Sequence, residues 1–318
     1  VILAGERWRL RMREGAGVLD RAARDLCVDG WRPDVVLVSS MVNVADLRQR
    51  LNRWIGEVRV VTYFHESHLA FPDIDVTGTR RAPQSEFVQM DLDSIAASDL
   101  VLFNSHHHLT EALRPRLSFR HLRAQVVPVG VDLSPFVGTD KRAEVPEPLI
   151  LWNHRWDHDK DPQSFFAALG EIDDLPWRLA VVGANDRIDP QEFTQARMDH
   201  ADRIDLWGHQ PREAYIDVLR RADVVVSTAR HEFFGVAMVE AIAAGAVPLL
   251  PGRLSYPELV PSEFHDVVLY QGDVATHMRQ RLLNLEEARA EVSGLAEAMN
   301  AFSWDVIAPR MDALLSPG

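Results

Sequence analysis

The chain has 318 residues with 34 Lys and Arg against 47 Asp and Glu, a formal charge of −13, and at roughly 150 residues per domain it has room for two separate cores. Its 47% hydrophobic and 25% charged content excludes intrinsic disorder, and the single Cys27 excludes an internal disulfide or Cys-based zinc site, as expected of a reducing, cytoplasmic compartment. No apolar run nears the roughly 20 residues that span a bilayer, and no signal-peptide pattern opens the sequence.

Charge is divided unevenly, with residues 1–140 at a net −1 and residues 141–318 at a net −12. A strongly acidic chain repels nucleic acid at long range, yet the near-neutral first part can carry a local basic face. Arg7, Arg9, Arg11 and Arg13, with Arg114, Arg116, Arg120 and Arg123, are candidates for it; the other reading is a solvated helix surface.

In chain order, helical patterns are expected at 18–27, 43–54, 87–97 and 106–113, and strands at 34–39, 58–64, 99–104 and 125–129. The apolar runs lack period-two alternation, the signature of parallel strands buried on both faces. His65 and Glu66 follow the 58–64 run, where an imidazole can exchange hydrogen bonds with a sugar hydroxyl or serve as an ordinary loop residue. His106, His107 and His108 would point in three directions from a helix, so at most two could converge.

Residues 138–148 end in Pro146 and Pro148 and read as a linker. Beyond it come strands at 149–153, 178–182, 203–206, 223–228, 246–250 and 266–270, with helices at 162–169, 212–221 and 235–244. Residues 302–315 carry Trp304, Ile307 and Met311 on one side and read as a terminal helix. The expected division is therefore 1–140, 147–300 and a C-terminal helix at 301–318 that crosses back to the first domain. Strand–helix alternation of this length implies an α/β fold with open, doubly wound parallel sheets. Ligands of such sheets bind at the carboxyl ends of the strands, so a cleft between the halves is the expected site.

The densest chemistry follows the 223–228 strand: Arg230, His231 and Glu232 in a turn, then Gly235 at a helix start and Glu240 inside it. Free N–H groups and the helix dipole make such a start a phosphate site, and glycine permits close approach. Two flanking carboxylates can accept hydroxyl hydrogen bonds, or merely favour the helix N-terminus and solvent. Arg155 and Lys160 follow the 149–153 strand and suit a diphosphate; Lys160 and Lys141 are the chain's two lysines. A rival reading makes metal ligands of His154, Asp157, His158 and Asp159, although Pro162 argues for a loop rather than the helix that would align those histidines. No Gly-x-Ser-x-Gly elbow, Walker loop or Gly-x-Gly-x-x-Gly motif follows a strand, which leaves simple hydrolase, P-loop and dinucleotide readings unsupported.

Glu232 and Glu240 with seven residues between, and Arg155 and Lys160 with four between, resemble the motifs of the family 4 retaining GT-B glycosyltransferases. Within that family, Tyr63-Phe64-His65-Glu66, Phe103-Asn104-Ser105 and the 154–162, 231–241 and 251–261 blocks resemble the subfamily that mannosylates queuosine in tRNA. The resemblance implies two Rossmann-like domains facing a central cleft, a GDP-mannose donor and a queuosine-containing tRNA acceptor. It implies that Arg155 and Lys160 stabilise the departing diphosphate, helped by the amides of Phe234, Gly235 and Val236. Glu232 would bind sugar hydroxyls and Glu240 the ribose. Trp207 and Gly208, with His209, would hold the base, and Gly183 would belong to the same donor site. His65 would meet the sugar at the reacting face, with Glu66, His68, Asn104 and Ser105 on the acceptor side. Configuration would be retained without a protein nucleophile and without a tightly bound metal or cofactor.

Two departures accompany the likeness. The family opens with a strand and a Gly-rich loop, and residues 1–13 are expected to match its second strand region. Ser67-His68 stands where that subfamily carries Asn-Gln, so the donor chemistry is better matched than the acceptor side. The alternatives are the same donor chemistry on a small-molecule acceptor, an inactive nucleotide-sugar-binding module, and a metal-dependent hydrolase.

Overall fold

The computed structural model describes residues 8–69, 73–74, 80–81, 85–113, 123–136, 146–184 and 190–316. They form two compact units, one of residues 1–128 with 307–318 and the other of residues 129–306.

The first unit opens with helix α1 (Trp8–Leu26), followed by β1 (Val35–Ser39), α2 (Val44–Ile55) and β2 (Arg59–Phe64). A two-stranded antiparallel ribbon comes next, β3 (Asp73–Ile74) with β4 (Arg80–Arg81). Helix α3 (Ser85–Ala96), β5 (Leu100–Phe103), α4 (His106–Leu113) and β6 (Ala124–Val126) complete the run. The main strands pair in parallel in the order β1-β2-β5-β6. β2 and β5 are apolar and buried almost throughout, because central parallel strands are covered on both faces. On one face Phe64 stacks on Phe103 with centroids 5.3 Å apart.

The second unit contains β7 (Leu149–Trp152), α5 (Pro162–Glu171), β8 (Arg178–Val182), α6 (Gln191–Asp199), β9 (Ile204–Gly208), α7 (Arg212–Arg221) and β10 (Val224–Val226). It continues through α8 (Val236–Ala243), β11 (Val247–Pro251), α9 (Tyr256–Leu259), α10 (His265–Val268), β12 (Leu269–Tyr270), α11 (Val274–Leu283), α12 (Leu285–Glu291) and α13 (Leu295–Ala298). Its six strands are parallel in the order β12-β11-β10-β7-β8-β9. Successive residues of a strand point to opposite faces: Leu149 and Leu151 enter one core with Val225 and Met238, while Ile150 and Trp152 enter the other with Val224 and Phe165. The chain winds outward from β7 through β8 and β9, then from β10 through β11 and β12. The order reverses between β7 and β10, and ligands of open α/β sheets bind at the carboxyl ends of the strands beside such a switch point.

The last helix, α14 (Trp304–Leu315), starts in the second unit and continues in the first. There Ile307 and Met311 pack with Val61, Tyr63, Leu102 and Val127. The division between units falls after Pro128 rather than within 138–148, because Val131, Leu133 and Phe136 are buried in the second core. Residues 137–145 lie outside the described residues.

Two local expectations are corrected. Trp8–Leu26 is helical from its start, so residues 8–13 are not a strand; Arg, Leu and Met are strong helix formers, and Met12 with Ala16 buries one face. The expected 266–270 strand is a helical turn, α10, with only Leu269–Tyr270 extended. Helices α6, α11 and α12 carry no expectation from the sequence, because each buries only two or three residues. Among the described residues no helix is long and apolar enough to cross a membrane.

Candidate active site

The loops leaving β7 and β10 meet at the switch point. Thr228 Oγ1 donates to the carbonyls of Lys160 and Asp161 at 2.9 and 3.0 Å. The backbone N–H groups of Arg230 and His231 donate to Asp159 O at 2.8 and 3.2 Å. These bonds hold the 155–161 loop against the 228–235 loop, so Lys160 and Glu232 become neighbours although 72 residues apart in sequence.

Lys160 is buried, with 8% of its surface exposed. Its Nζ donates to His231 O at 2.8 Å and lies 3.1 Å from Glu232 Oε2 and 3.2 Å from Asp159 Oδ2. Burial works against the charged form, but the carboxylates of Glu232 and Asp159 more than offset it and raise the ammonium's pKa. Arg155 is half exposed, and its Nη2 reaches the same Asp159 oxygen at 3.4 Å. The two expected cations therefore converge on one carboxylate atom. The imidazole of His154 is buried beside them; burial first, then Lys160 and Arg155, lowers its pKa well below the usual value and keeps it neutral.

Glu232 faces the start of α8 and accepts the N–H groups of Phe233 and Phe234 on Oε1 at 3.1 and 3.3 Å. The Phe234 amide assigned to diphosphate by resemblance is thus bonded to Glu232 here. Gly235 caps the helix at φ 102°, and a Cβ there would stand 3.4 Å from the Tyr256 ring. Gly183 directly follows β8 at φ 144°, where a Cβ would lie 2.0 Å from His154 O. Glycine is required for that close crossing of two chains.

A cavity of about 450 Å³ adjoins the cluster. Its lining includes Asn153, His154, Arg155, Gly183, Arg212 and Tyr215. Glu240 is buried and bonded to Arg212 and Tyr215, each at 2.8 Å. The Trp207 ring packs toward Trp156 and Phe166, with centroids 5.7 and 6.2 Å away. The carbonyls of Trp207 and Gly208 accept the Gln210 side-chain amide at 3.1 and 3.3 Å.

In the first unit the acceptor-side candidates gather at the carboxyl end of β2. His65 is exposed by area, yet desolvation by the atoms packed around its ring, with Tyr63 at 4.2 Å, lowers its pKa. Glu66 is exposed, and its backbone O accepts Ser40 Oγ at 2.8 Å. His68 packs against both Trp8 and Phe87, which also touch each other, with Nδ1 3.4 Å from the buried Asp91 carboxylate. Asn104 donates to His65 O at 3.1 Å and faces His108 Nδ1 at 2.9 Å, while Ser105 Oγ accepts the His108 N–H. Asn104 and Ser105 are buried, so their side chains brace the strand end rather than present free groups.

The metal alternative is not assembled. Asp159 turns to the two cations and His158 toward Glu192 at 3.8 Å, and among the described residues no three His, Cys, Asp or Glu side chains converge for an ion. Asn153, Arg212 and Tyr215 were missed, and Asp159 was read only as a metal ligand; no spacing marks them, since each meets its partner through the fold. Of the arginines proposed for a basic face, Arg7, Arg114, Arg116 and Arg120 lie outside the described residues.

Residues 1–130 match the family model "tRNA-queuosine alpha-mannosyltransferase N-terminal", and residues 139–298 match "Glycosyl transferases group 1". The chain is 30% identical over 254 residues to the tRNA-queuosine alpha-mannosyltransferase of Drosophila melanogaster, covering 72% of this chain and 66% of that protein. It is 29% identical over 132 residues to the GDP-mannose:cellobiosyl-diphosphopolyprenol alpha-mannosyltransferase of Xanthomonas oryzae pv. oryzae, covering 40% of this chain and 34% of that one. It thus spans just under two thirds of the first relative and a third of the second. Among solved structures, sucrose-phosphate synthase from Thermosynechococcus elongatus superposes with a TM-score of 0.76 at 19% identity, over 99% of this chain and 79% of that one. Anabaena HepE in complex with UDP and glucose gives 0.69 at 15% identity, over 95% and 81%. At such identities these structures establish the GT-B type of fold alone. With its second half matched by the transferase model and its first by the mannosyltransferase model, the chain belongs to the group 1 glycosyl transferases.

Proposed function

We propose that this chain is a retaining α-mannosyltransferase that carries mannose from GDP-mannose to queuosine in tRNA. The N-terminal family match and the Drosophila relative support the acceptor, and the Xanthomonas relatives support the donor. One observation carries the chemistry: Lys160 and Arg155 converge on a single oxygen of Asp159 beside the start of α8.

In this reading the donor's diphosphate becomes the anion facing both cations. As the bond between sugar C1 and the phosphate oxygen breaks, its electron pair stays on that oxygen. The ammonium, the guanidinium and the amides of Gly235 and Val236 stabilise the charge where it develops. The acceptor hydroxyl oxygen bonds to C1 on the same face, and its proton passes to the leaving phosphate, so no side chain is needed as nucleophile. Glu232 accepts hydroxyls of the sugar and Glu240 those of the ribose. Gly183 lets the backbone beneath the donor pass close, and Trp207 with Gly208 borders the base. His65 contacts the sugar at its reacting face, and Glu66 and His68 serve the acceptor.

Purified protein given labelled GDP-mannose should label tRNA that carries queuosine and leave tRNA lacking it unlabelled, with a chelator present as well. Equal labelling of both tRNAs would overturn the acceptor.

A further inference from the structure

Both oxygens of Glu240 are engaged. Arg212 Nη1 donates to Oε1 and Tyr215 OH to Oε2, each at 2.8 Å. The direction of the phenol's bond is set from its other side. Asn153 Nδ2 donates to the Tyr215 oxygen at 3.2 Å and to Ala237 O at 3.0 Å. A backbone carbonyl can only accept, so the amide group facing Ala237 is the NH₂. A phenol oxygen that accepts one N–H turns its single proton to its remaining partner, here the carboxylate. Asn153 leaves β7, Tyr215 lies on α7 and Glu240 on α8, so three elements are tied around one carboxylate.

An ionised carboxylate is acceptor-only and offers about four lone-pair directions, two on each oxygen. Arg212 and Tyr215 occupy one on each oxygen and leave one on each. Two adjacent acceptor positions match a ligand that brings two adjacent donors, which is the chemistry of a vicinal diol. Asn153, Arg212 and Tyr215 line the cavity of about 450 Å³, and Glu240 is bonded to two of them.

We propose that Asn153, Tyr215 and Arg212 are positioning residues that hold the Glu240 carboxylate in the orientation needed to read the ribose diol of the nucleotide donor. This rests on the donor reading above. None of the three needs to touch the sugar that is transferred; their effect reaches the nucleotide through Glu240.

The test compares binding of GDP and 2′,3′-dideoxy-GDP by calorimetry in the full chain and in Tyr215→Phe and Arg212→Gln. The Arg212 side chain is 51% exposed, so its replacement does not threaten folding, and melting temperatures monitor both variants. Each variant should weaken GDP binding about tenfold, the scale of one hydrogen bond to a charged group. Each should leave dideoxy-GDP within about twofold of the unmodified chain, because the hydroxyls that Glu240 would read are gone. Equal loss on both nucleotides, or loss on neither, overturns the relay; so does an unmodified chain that binds the two alike. The measurement needs no turnover. A chain that binds GDP and ranks the variants as expected, yet moves no mannose, supports the relay and overturns the transfer reading.

Discussion

Replacing Lys160 with methionine keeps most of the length of the side chain and removes its charge. Glu232 and Asp159 would then face an uncharged methyl group in a buried site, with the His231 carbonyl also losing its donor. Leaving one side of a buried ion pair unmatched costs about 3–5 kcal/mol. In the proposed reaction Lys160 stabilises developing charge, and losing such a group lowers kcat by roughly 10²–10³. Lys160→Met should therefore lose stability in a denaturant titration as well as activity, and Lys160→Arg should recover more of the first than of the second, since a planar fork does not reproduce a point charge. The pH dependence has a definite sign. The folded-state pKa of Lys160 is raised, so its contribution is complete below the ordinary lysine range and is lost as pH rises through the folded value. A variant without an altered high-pH limb in its stability profile would contradict the ion pairing.

The same scale shows what the sequence could and could not reveal. Glu232, Lys160 and Arg155 are legible because a helix start after an apolar strand and a lone lysine after another are local patterns. Asp159 is in plain view between them but ambiguous, as carboxylates with nearby histidines equally suggest a metal. Tyr215 and Asn153 carry no local mark at all; they are 62 residues apart and meet only because α7 lies over the end of β7.

At the scale of elements, the site depends on strand ends held in close register, and the glycines at two of those ends differ in what surrounds them. A Cβ on Gly183 would stand 2.0 Å from His154 O at φ 144°, while one on Gly208 at φ 90° would meet nothing within 4 Å. Gly208→Ala should therefore cost only conformational strain, about 1–2 kcal/mol. Gly183→Ala must also push the 153–156 segment away from β8, and with it the 155–161 loop. Its melting temperature should fall further than that of Gly208→Ala, and its nucleotide affinity should fall with it. Equal effects of the two substitutions would mean that the β7 and β8 loops do not depend on this crossing. The strands themselves were readable because buried parallel strands are continuous apolar runs; nine of the ten expected coincide with observed strands to within a few residues. The sequence pattern shows α1 only from residue 18 because its first turns mix arginines with few apolar residues, and α6, α11 and α12 escape it because each buries little. In each, tertiary packing decides what periodicity does not.

At the scale of the whole molecule, the charge of −13 weighs against a polyanionic acceptor and favours a small one, and the arginines of the first unit decide how far. Arg13 is bound to Glu86 through two hydrogen bonds at 3.0 and 2.8 Å, and the Arg9 guanidinium lies over Trp8 at 5.2 Å. Solvent-exposed pairs of the Arg13–Glu86 kind are screened and contribute little to stability, so a phosphate can displace the carboxylate at little cost. Three or four such contacts would make tRNA affinity fall roughly 20- to 100-fold between 50 and 200 mM salt. The donor should respond far less, because Lys160 is buried and buried charges are weakly screened. Measuring KM for tRNA and Kd for GDP across that salt range separates the two sites in one experiment. A steep slope for tRNA beside a shallow one for GDP is expected of a surface-held polyanion and an interior-held diphosphate. A flat tRNA response would remove the phosphate contacts from the first unit and point instead to a small-molecule acceptor, leaving the Lys160 site untouched.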